Sequence, residues 1–157
     1  MKHYENYVLG EWFKGKGNEK SLHNAINGDL IGYASSEGIN FDEVMNYARD
    51  YGGAKLRKMT FQERGIMLKK LALHLHSKKN MFYPVSFLTG ATKIDSWIDI
   101  EGGIGNLFAN ASLRRQFPDL PFHVEGNAAM LSKNGSFIGH HIICLLYTSD
   151  AADDGYR

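Results

Sequence analysis

The sequence predicts an α/β chain made of short N-terminal hairpins, three main helices and a C-terminal antiparallel hairpin. Three observations carry that reading. Turn dipeptides sit between short apolar runs near the start, at Gly10-Glu11 and Asn27-Gly28. Capping residues at Asn40, Thr60 and Thr92 each precede apolar residues at helical spacing. Around Pro118 and Pro121 the helical pattern stops, and strand-like runs follow.

Asn6-Tyr7-Val8-Leu9 and Trp12-Phe13 flank Gly10-Glu11 and form the first hairpin. Asn27-Gly28 separates Leu22-His23-Asn24-Ala25-Ile26 from Asp29-Leu30-Ile31-Gly32-Tyr33, the second. Asn40 caps a helix from Phe41 to about Tyr51, with Asp42 and Glu43 in the first turn, where the helix dipole favours anions. Phe41, Val44, Met45 and Ala48 are its expected buried stripe, and Gly52-Gly53 breaks or bends it. Thr60 and Glu63 form a capping box opening a second helix, with Met67, Leu68, Leu71, Ala72 and Leu75 inward. That helix runs toward Tyr83, where Pro84 stops or kinks it.

Gly90 closes the preceding helix, and Thr92 with Asp95 forms another capping box, so a third helix starts at Lys93. Ile94, Trp97, Ile98, Ile104, Phe108 and Ala111 are its expected buried stripe, with Glu101 the one charged group on it. Gly102, Gly103 and Gly105 each cost about 1 kcal/mol in a helix interior relative to alanine, which predicts close approach of another backbone there. Past Phe117-Pro118-Asp119-Leu120-Pro121, the stretches Phe122-His123-Val124-Glu125 and Ser136 to Ile142 read as strands around a turn at Lys133-Asn134-Gly135.

The chain has 157 residues, with 18 Lys and Arg against 17 Asp and Glu. That balance gives no reason to expect nucleic acid or an anionic membrane as partner. No apolar run is long enough to span a bilayer, and Met1-Lys2-His3-Tyr4-Glu5 lacks the apolar core of a signal peptide, so a cytoplasmic protein is expected. The single cysteine, Cys144, cannot form an internal disulfide.

Candidate chemistry is sparse. Glu101, alone on an apolar face, would have its pKa raised by burial there. It reads either as a general acid or base or as a structural glutamate paired with a neighbouring helix through Arg57 or Arg64, and the structural reading is preferred. Asp95 is a cap, and Asp99 is a solvated or paired acid. His74 and His76 point to different sides of a helix, and His140 and His141 alternate across a strand, so the seven histidines suggest no metal site. Gly102-Gly103-Ile104-Gly105 lacks the strand and spacing of a phosphate loop. Trp97, Phe108, Phe82 and Phe87 are expected in the core. No catalytic, cofactor-binding or metal residue is assigned.

The run Thr89-Gly90-Ala91-Thr92-Lys93-Ile94-Asp95-Ser96-Trp97-Ile98-Asp99-Ile100-Glu101-Gly102-Gly103-Ile104-Gly105-Asn106-Leu107-Phe108, with Met59-Thr60-Phe61-Gln62-Glu63-Arg64 and Met67-Leu68-Lys69, resembles the opening part of an aldehyde dehydrogenase domain. Within that superfamily it is similar to the bifunctional branch of phenylacetate catabolism, in which a semialdehyde dehydrogenase is joined to an oxepin-CoA hydrolase. Ala25 stands where the superfamily's early strand pair usually has proline, a departure that fits this branch.

The resemblance implies an aldehyde dehydrogenase-like fold, truncated, over residues 1–143. It implies a parent enzyme oxidising a CoA-linked semialdehyde with NADP or NAD, and a homo-oligomer whose extended arm begins at the C-terminal hairpin. The cysteine nucleophile, activating glutamate and oxyanion asparagine of the family lie downstream of the matched segment, so this chain alone is expected to be inactive. From Cys144 onward the sequence resembles a translated sequencing adapter, so residues 144–157 are expected to be an artefactual, disordered tail. Two rivals are a single-function aldehyde dehydrogenase of another branch and a small non-enzymatic helical module that binds a partner.

Overall fold

The structure is a computed structural model and describes residues 2–130, 133 and 138–143. The turn expected at Lys133-Asn134-Gly135 and the tail from Cys144 lie outside the described residues, apart from Lys133.

The first hairpin is β2 (Asn6–Val8) and β3 (Glu11–Phe13), preceded by β1 (His3–Tyr4). β2 and β3 pair antiparallel, with Tyr7 opposite Trp12. Both turn residues, Leu9 and Gly10, have positive φ, 55° and 88°. That combination suits a tight two-residue hairpin and is unusual for leucine.

The second hairpin is β4 (Lys20–His23) against β5 (Leu30–Ala34). Its loop is longer than the two residues Asn27-Gly28 suggest. The Asn24 carbonyl accepts from the Gly28 amide at 2.8 Å, and the Asn24 amide donates to the Asp29 carbonyl at 2.8 Å. Asn24 thus closes the loop, and β4 stops at His23. β1 joins this sheet in parallel with β5, giving the order β1-β5-β4, a pairing too short to leave a sequence signal.

The helical part has four runs among the described residues rather than three. Asn40 caps α1 (Phe41–Tyr47) by accepting from the Glu43 amide at 3.3 Å. The helical path does not break at Gly52-Gly53. It widens into a π-helical stretch, Ala48–Gly53, and continues as α2 (Ala54–Lys58). Of its expected buried stripe only Val44 is half-buried, while Phe41 and Met45 are 60% and 52% exposed. That face is largely open to solvent among the described residues.

The capping box of Thr60 and Glu63 is complete in both directions and opens α3 (Phe61–Lys78). Its inward face is Arg64, Gly65 and Ala72, with Leu68 and Leu75 half-buried; Met67 and Leu71 lie outward. α3 ends well before Pro84. A 3₁₀ turn, Lys79–Met81, leads into α4 (Tyr83–Leu88), where Pro84 sits in the first turn. There its missing N–H costs nothing, so this proline starts a helix instead of ending one.

Gly90, at φ 84°, turns the chain out of α4. The Thr92–Asp95 capping box then opens α5 (Lys93–Trp97) at the expected residue. A π-helical stretch, Ile98–Gly102, carries the path into α6 (Gly103–Ser112). The buried face runs through Ser96, Ile104 and Ala111, with Ile100, Leu107 and Phe108 half-buried. The wider π turn keeps residues four apart in line across 96, 100 and 104. The expected stripe is therefore wrong in its first half: Ile94, Trp97 and Ile98 are 70%, 56% and 55% exposed. Phe82 and Phe87 are also exposed rather than core. Beyond the chain neighbours and the helix's own backbone, no described atom lies within 4 Å of a Cβ added at Gly102, Gly103 or Gly105, so the expected backbone approach is absent among the described residues.

α3 packs along α6, and Gly65 makes the seam close. A Cβ at residue 65 would meet Arg114 Cβ at 2.7 Å and the Ala111 carbonyl oxygen at 2.9 Å. Beyond α6, a 3₁₀ turn (Leu113–Gln116) passes into the proline-bearing linker, which is laced to the start of α3. Gln62 Nε2 donates to the Arg114 and Phe117 carbonyls at 2.7 and 3.1 Å. The Phe61 amide donates to the Leu120 carbonyl at 3.0 Å. Buried Arg64 donates through Nε and Nη2 to the Met59 carbonyl at 3.0 and 2.8 Å, and through Nη2 to that of Pro121 at 2.7 Å. Phe117 stacks on Phe61 at 4.6 Å and meets the His123 ring edge-on at 5.3 Å, leading into β6 (His123–Met130). β6 pairs antiparallel with β7 (Ile138–Ile143), with a register shift between Glu125 and Ala129.

Two substitutions measure this seam. Arg64→Met leaves two linker and cap carbonyls without their charged donor and is expected to destabilise by about 2–4 kcal/mol, read by denaturant titration. Gly65→Ala should cost about 1–3 kcal/mol because its new methyl meets backbone as well as side chain. A neutral result for either would mean that the seam can shift without loss.

Candidate functional site

The charged centre of the helical part lies where the end of α3 meets the π-helical stretch after α5. Lys79 Nζ donates to Glu101 Oε2 at 2.9 Å, and Tyr83 Oη donates to Glu101 Oε1 at 2.9 Å. Local structure explains the meeting. The 3₁₀ turn at Lys79–Met81 places Lys79 and Tyr83 on either side of a sharp corner, and the widened turn at Ile98–Gly102 presents Glu101 toward it.

Glu101 thus has a structural partner, but not Arg57 or Arg64: Arg64 is committed to the linker. Its pKa is also not raised. The hydrogen bond from Lys79, then that from Tyr83, holds the Glu101 carboxyl below the ordinary glutamate range, and these outweigh the desolvation that pushes the other way. Tyr83 is moved upward, first by desolvation and then by the Glu101 carboxylate that accepts its hydroxyl.

Glu101, Lys79 and Tyr83 line an open cleft of about 440 Å³ together with Asn80, Pro84, Phe87 and Lys93. The lining carries two ammonium groups, an amide, a phenol and the Glu101 carboxylate; Pro84 and Phe87 supply the apolar surface. Nearby, fully buried Ser96 accepts a hydrogen bond from Ser86 Oγ at 2.9 Å, pinning α4 to α5.

The remaining acids and histidines do not gather there. Asp95 Oδ2 accepts from the Thr92 amide and hydroxyl at 3.2 and 2.6 Å, as a cap should, and Asp99 is exposed. His74 and His76 are exposed on α3, and His140 and His141 lie in β7. Among the described residues no group of three or more His, Cys, Asp or Glu is placed to hold a metal ion. Among them, too, no helix is long and apolar enough to cross a membrane.

The sequence singled out Glu101 but not Lys79, Tyr83, Asn80 or Lys93. A charged residue on an apolar face announces that it has a partner, but the partner lies 18 to 22 residues away and is chosen by the corner after α3.

No protein-family model matches the chain. It is similar to the 3,4-dehydroadipyl-CoA semialdehyde dehydrogenase of Aromatoleum evansii, 30% identical over 139 residues. The similarity is thus to a semialdehyde dehydrogenase. The alignment covers 88% of this chain and 27% of that enzyme, so the chain spans about a quarter of its relative's length.

Opposite pH limbs are expected for the Glu101 cluster. The Glu101 pKa is depressed, so its contribution to stability is present above the ordinary glutamate range and lost as pH falls through the lowered value. The Tyr83 pKa is raised, so its contribution is present below the ordinary tyrosine range and lost as pH rises through the raised value. Glu101→Gln should lower the melting temperature at neutral pH and flatten the acid limb, while Tyr83→Phe should flatten the alkaline one. Thermal melts from about pH 3 to 11 check both, and unchanged limbs would show the cluster to be energetically idle.

Proposed function

We propose that the chain is the opening part of an NAD(P)-dependent aldehyde dehydrogenase that oxidises a CoA-linked semialdehyde. The observation that carries this reading is the 30% identity, spread over 88% of the chain, to an enzyme named for that chemistry. A nicotinamide cofactor goes with it, either NADP or NAD. The finer assignment, to a phenylacetate-pathway enzyme that also bears an oxepin-CoA hydrolase, rests on the Thr89–Phe108 resemblance. So does a homo-oligomeric cytoplasmic parent with β6 and β7 at the base of its arm.

The packing supports a part of a larger domain. Ile94, Trp97, Ile98, Phe41 and Met45 are all more than half exposed, an apolar display unusual for a finished surface. At Gly102 and Gly105 an added Cβ would meet no other element among the described residues. In the proposed parent, other segments of the dehydrogenase domain lie on these faces.

Resequencing the source DNA across the codons for Ile143 and Cys144 tests the reading directly. A frame continuing into an asparagine motif and a later cysteine is expected, followed by aldehyde-dependent NAD(P) reduction from the expressed parent. Recovery of the same tail and a stop codon from fresh template would overturn it. The glycines give an independent physical check. In the 157-residue chain, Gly102→Ala and Gly105→Ala meet open space and should each stabilise by about 0.5–1 kcal/mol. In a parent whose other segments cover this face, the same changes should destabilise. Equal stabilisation in both would show that the face stays bare.

A further inference from the structure

The cleft around Glu101 holds more donors than Glu101 uses. Its carboxylate takes one proton of the Lys79 ammonium and the Tyr83 hydroxyl. Two further N–H protons of Lys79 remain, since an ammonium carries three. Lys93 and Asn80 line the same cleft, and among the described residues neither side chain has a hydrogen bond or ion pair. The titratable lining is two lysines, one carboxylate and one phenol, which leaves a surplus positive charge at neutral pH.

Lys93 is also oddly placed for its own helix. It is the first residue of α5, where the dipole disfavours a cation, and no described carboxylate pairs with it there. Asp95, the nearest acid in that turn, is committed to Thr92. Meanwhile Glu101 holds Lys79 in one direction, so that ammonium is oriented before any ligand arrives. The cleft volume lies in the range of small-molecule sites, larger than a bare phosphate, with Pro84 and Phe87 as an apolar surface for what the phosphate is attached to.

We propose that this cleft binds a phosphate monoester carried on a larger ligand, with Lys93, Asn80 and the free N–H groups of Lys79 as donors and Pro84 and Phe87 against the carrier. An ammonium pair and a neutral amide suit a compact dianion, and the apolar surface favours a carrier over free phosphate. The choice of carrier rests on the reading given above. Coenzyme A and NADP each bear such a monoester on a ribose, and each has a close analogue without it.

The full 157-residue chain is titrated calorimetrically with coenzyme A and dephospho-coenzyme A, NADP and NAD, and inorganic phosphate. Coenzyme A or NADP should bind at least about tenfold tighter than its analogue lacking the monoester, and affinity should fall with added salt. The preferred member of the pair identifies the carrier. Lys93→Glu should weaken that binding by about tenfold or more, since it replaces attraction with repulsion. The same reversal at exposed Lys70 on α3, outside the cleft lining, should leave it unchanged. Lys93→Glu also places a favourable charge in a first helical turn, so its loss of binding would not be a loss of folding.

Equal binding of the analogues, no binding at all, or equal effects at Lys70 and Lys93 would each overturn the site. If the resequenced parent proves an active dehydrogenase while the titrations fail, only this proposal falls. If the phosphate preference and the Lys93 effect appear but the parent is no dehydrogenase, the site stands.

Discussion

The absence of a side chain at residue 65 decides how the helical part is assembled. α3 and α6 approach until the space for a Cβ at Gly65 is occupied by Arg114 and the Ala111 carbonyl. Only with that approach can Ala72, Ile104 and Ala111 reach near-complete burial, since small and medium side chains fill a seam only if the backbones are close. The same approach brings the end of α6 over the start of α3, where Gln62 and Arg64 satisfy the carbonyls of Arg114, Phe117 and Pro121. A linker with two prolines has few hydrogen bonds of its own to offer. Arginine, with five donors in a rigid fork, supplies them from outside.

Much else about the molecule follows from how little that seam buries. The fully closed apolar positions among the described residues are Ala72, Ile104 and Ala111, a small core for a chain of this length. Apolar residues that the periodicity of α1 and α5 places inward instead face solvent. An amphipathic helix is a statement about having a partner, and these helices state it on two faces while the described residues supply one. In the proposed parent the second face belongs to other segments of the domain; the alignment itself covers 27% of the relative.

Local chemistry was legible in the sequence and tertiary choice was not. Asn40, Thr60 and Thr92 cap the helices expected of them, and Gly90 takes the positive φ expected of a helix terminator. Each involves groups within a few residues of one another, so sequence alone constrains it. The misses have a common origin. The stripe through Ile94, Trp97 and Ile98 failed because a π-helical stretch changes the angular step between Trp97 and Gly103, and periodicity arguments assume that step is constant. Pro84 was read as a terminator because its effect depends on whether a helix is passing through it or beginning at it. The partner of Glu101 was missed because Lys79 and Tyr83 reach it only around the corner after α3.

That corner also settles what Glu101 can do. A general base working near neutrality needs a carboxyl pKa raised toward the working pH and a lone pair facing substrate. Glu101 has the reverse on both counts: its pKa is lowered, and each oxygen accepts a hydrogen bond from within the chain. The same features make it effective at fixing direction. A lysine alone on a helix end samples many rotamers, and ordering it on ligand binding costs up to about 2 kcal/mol of side-chain entropy. Held by Glu101, Lys79 has met that cost in folding. The carboxylate therefore contributes to the cleft by orienting a neighbouring cation, and the surplus charge left to act outward is that of Lys93.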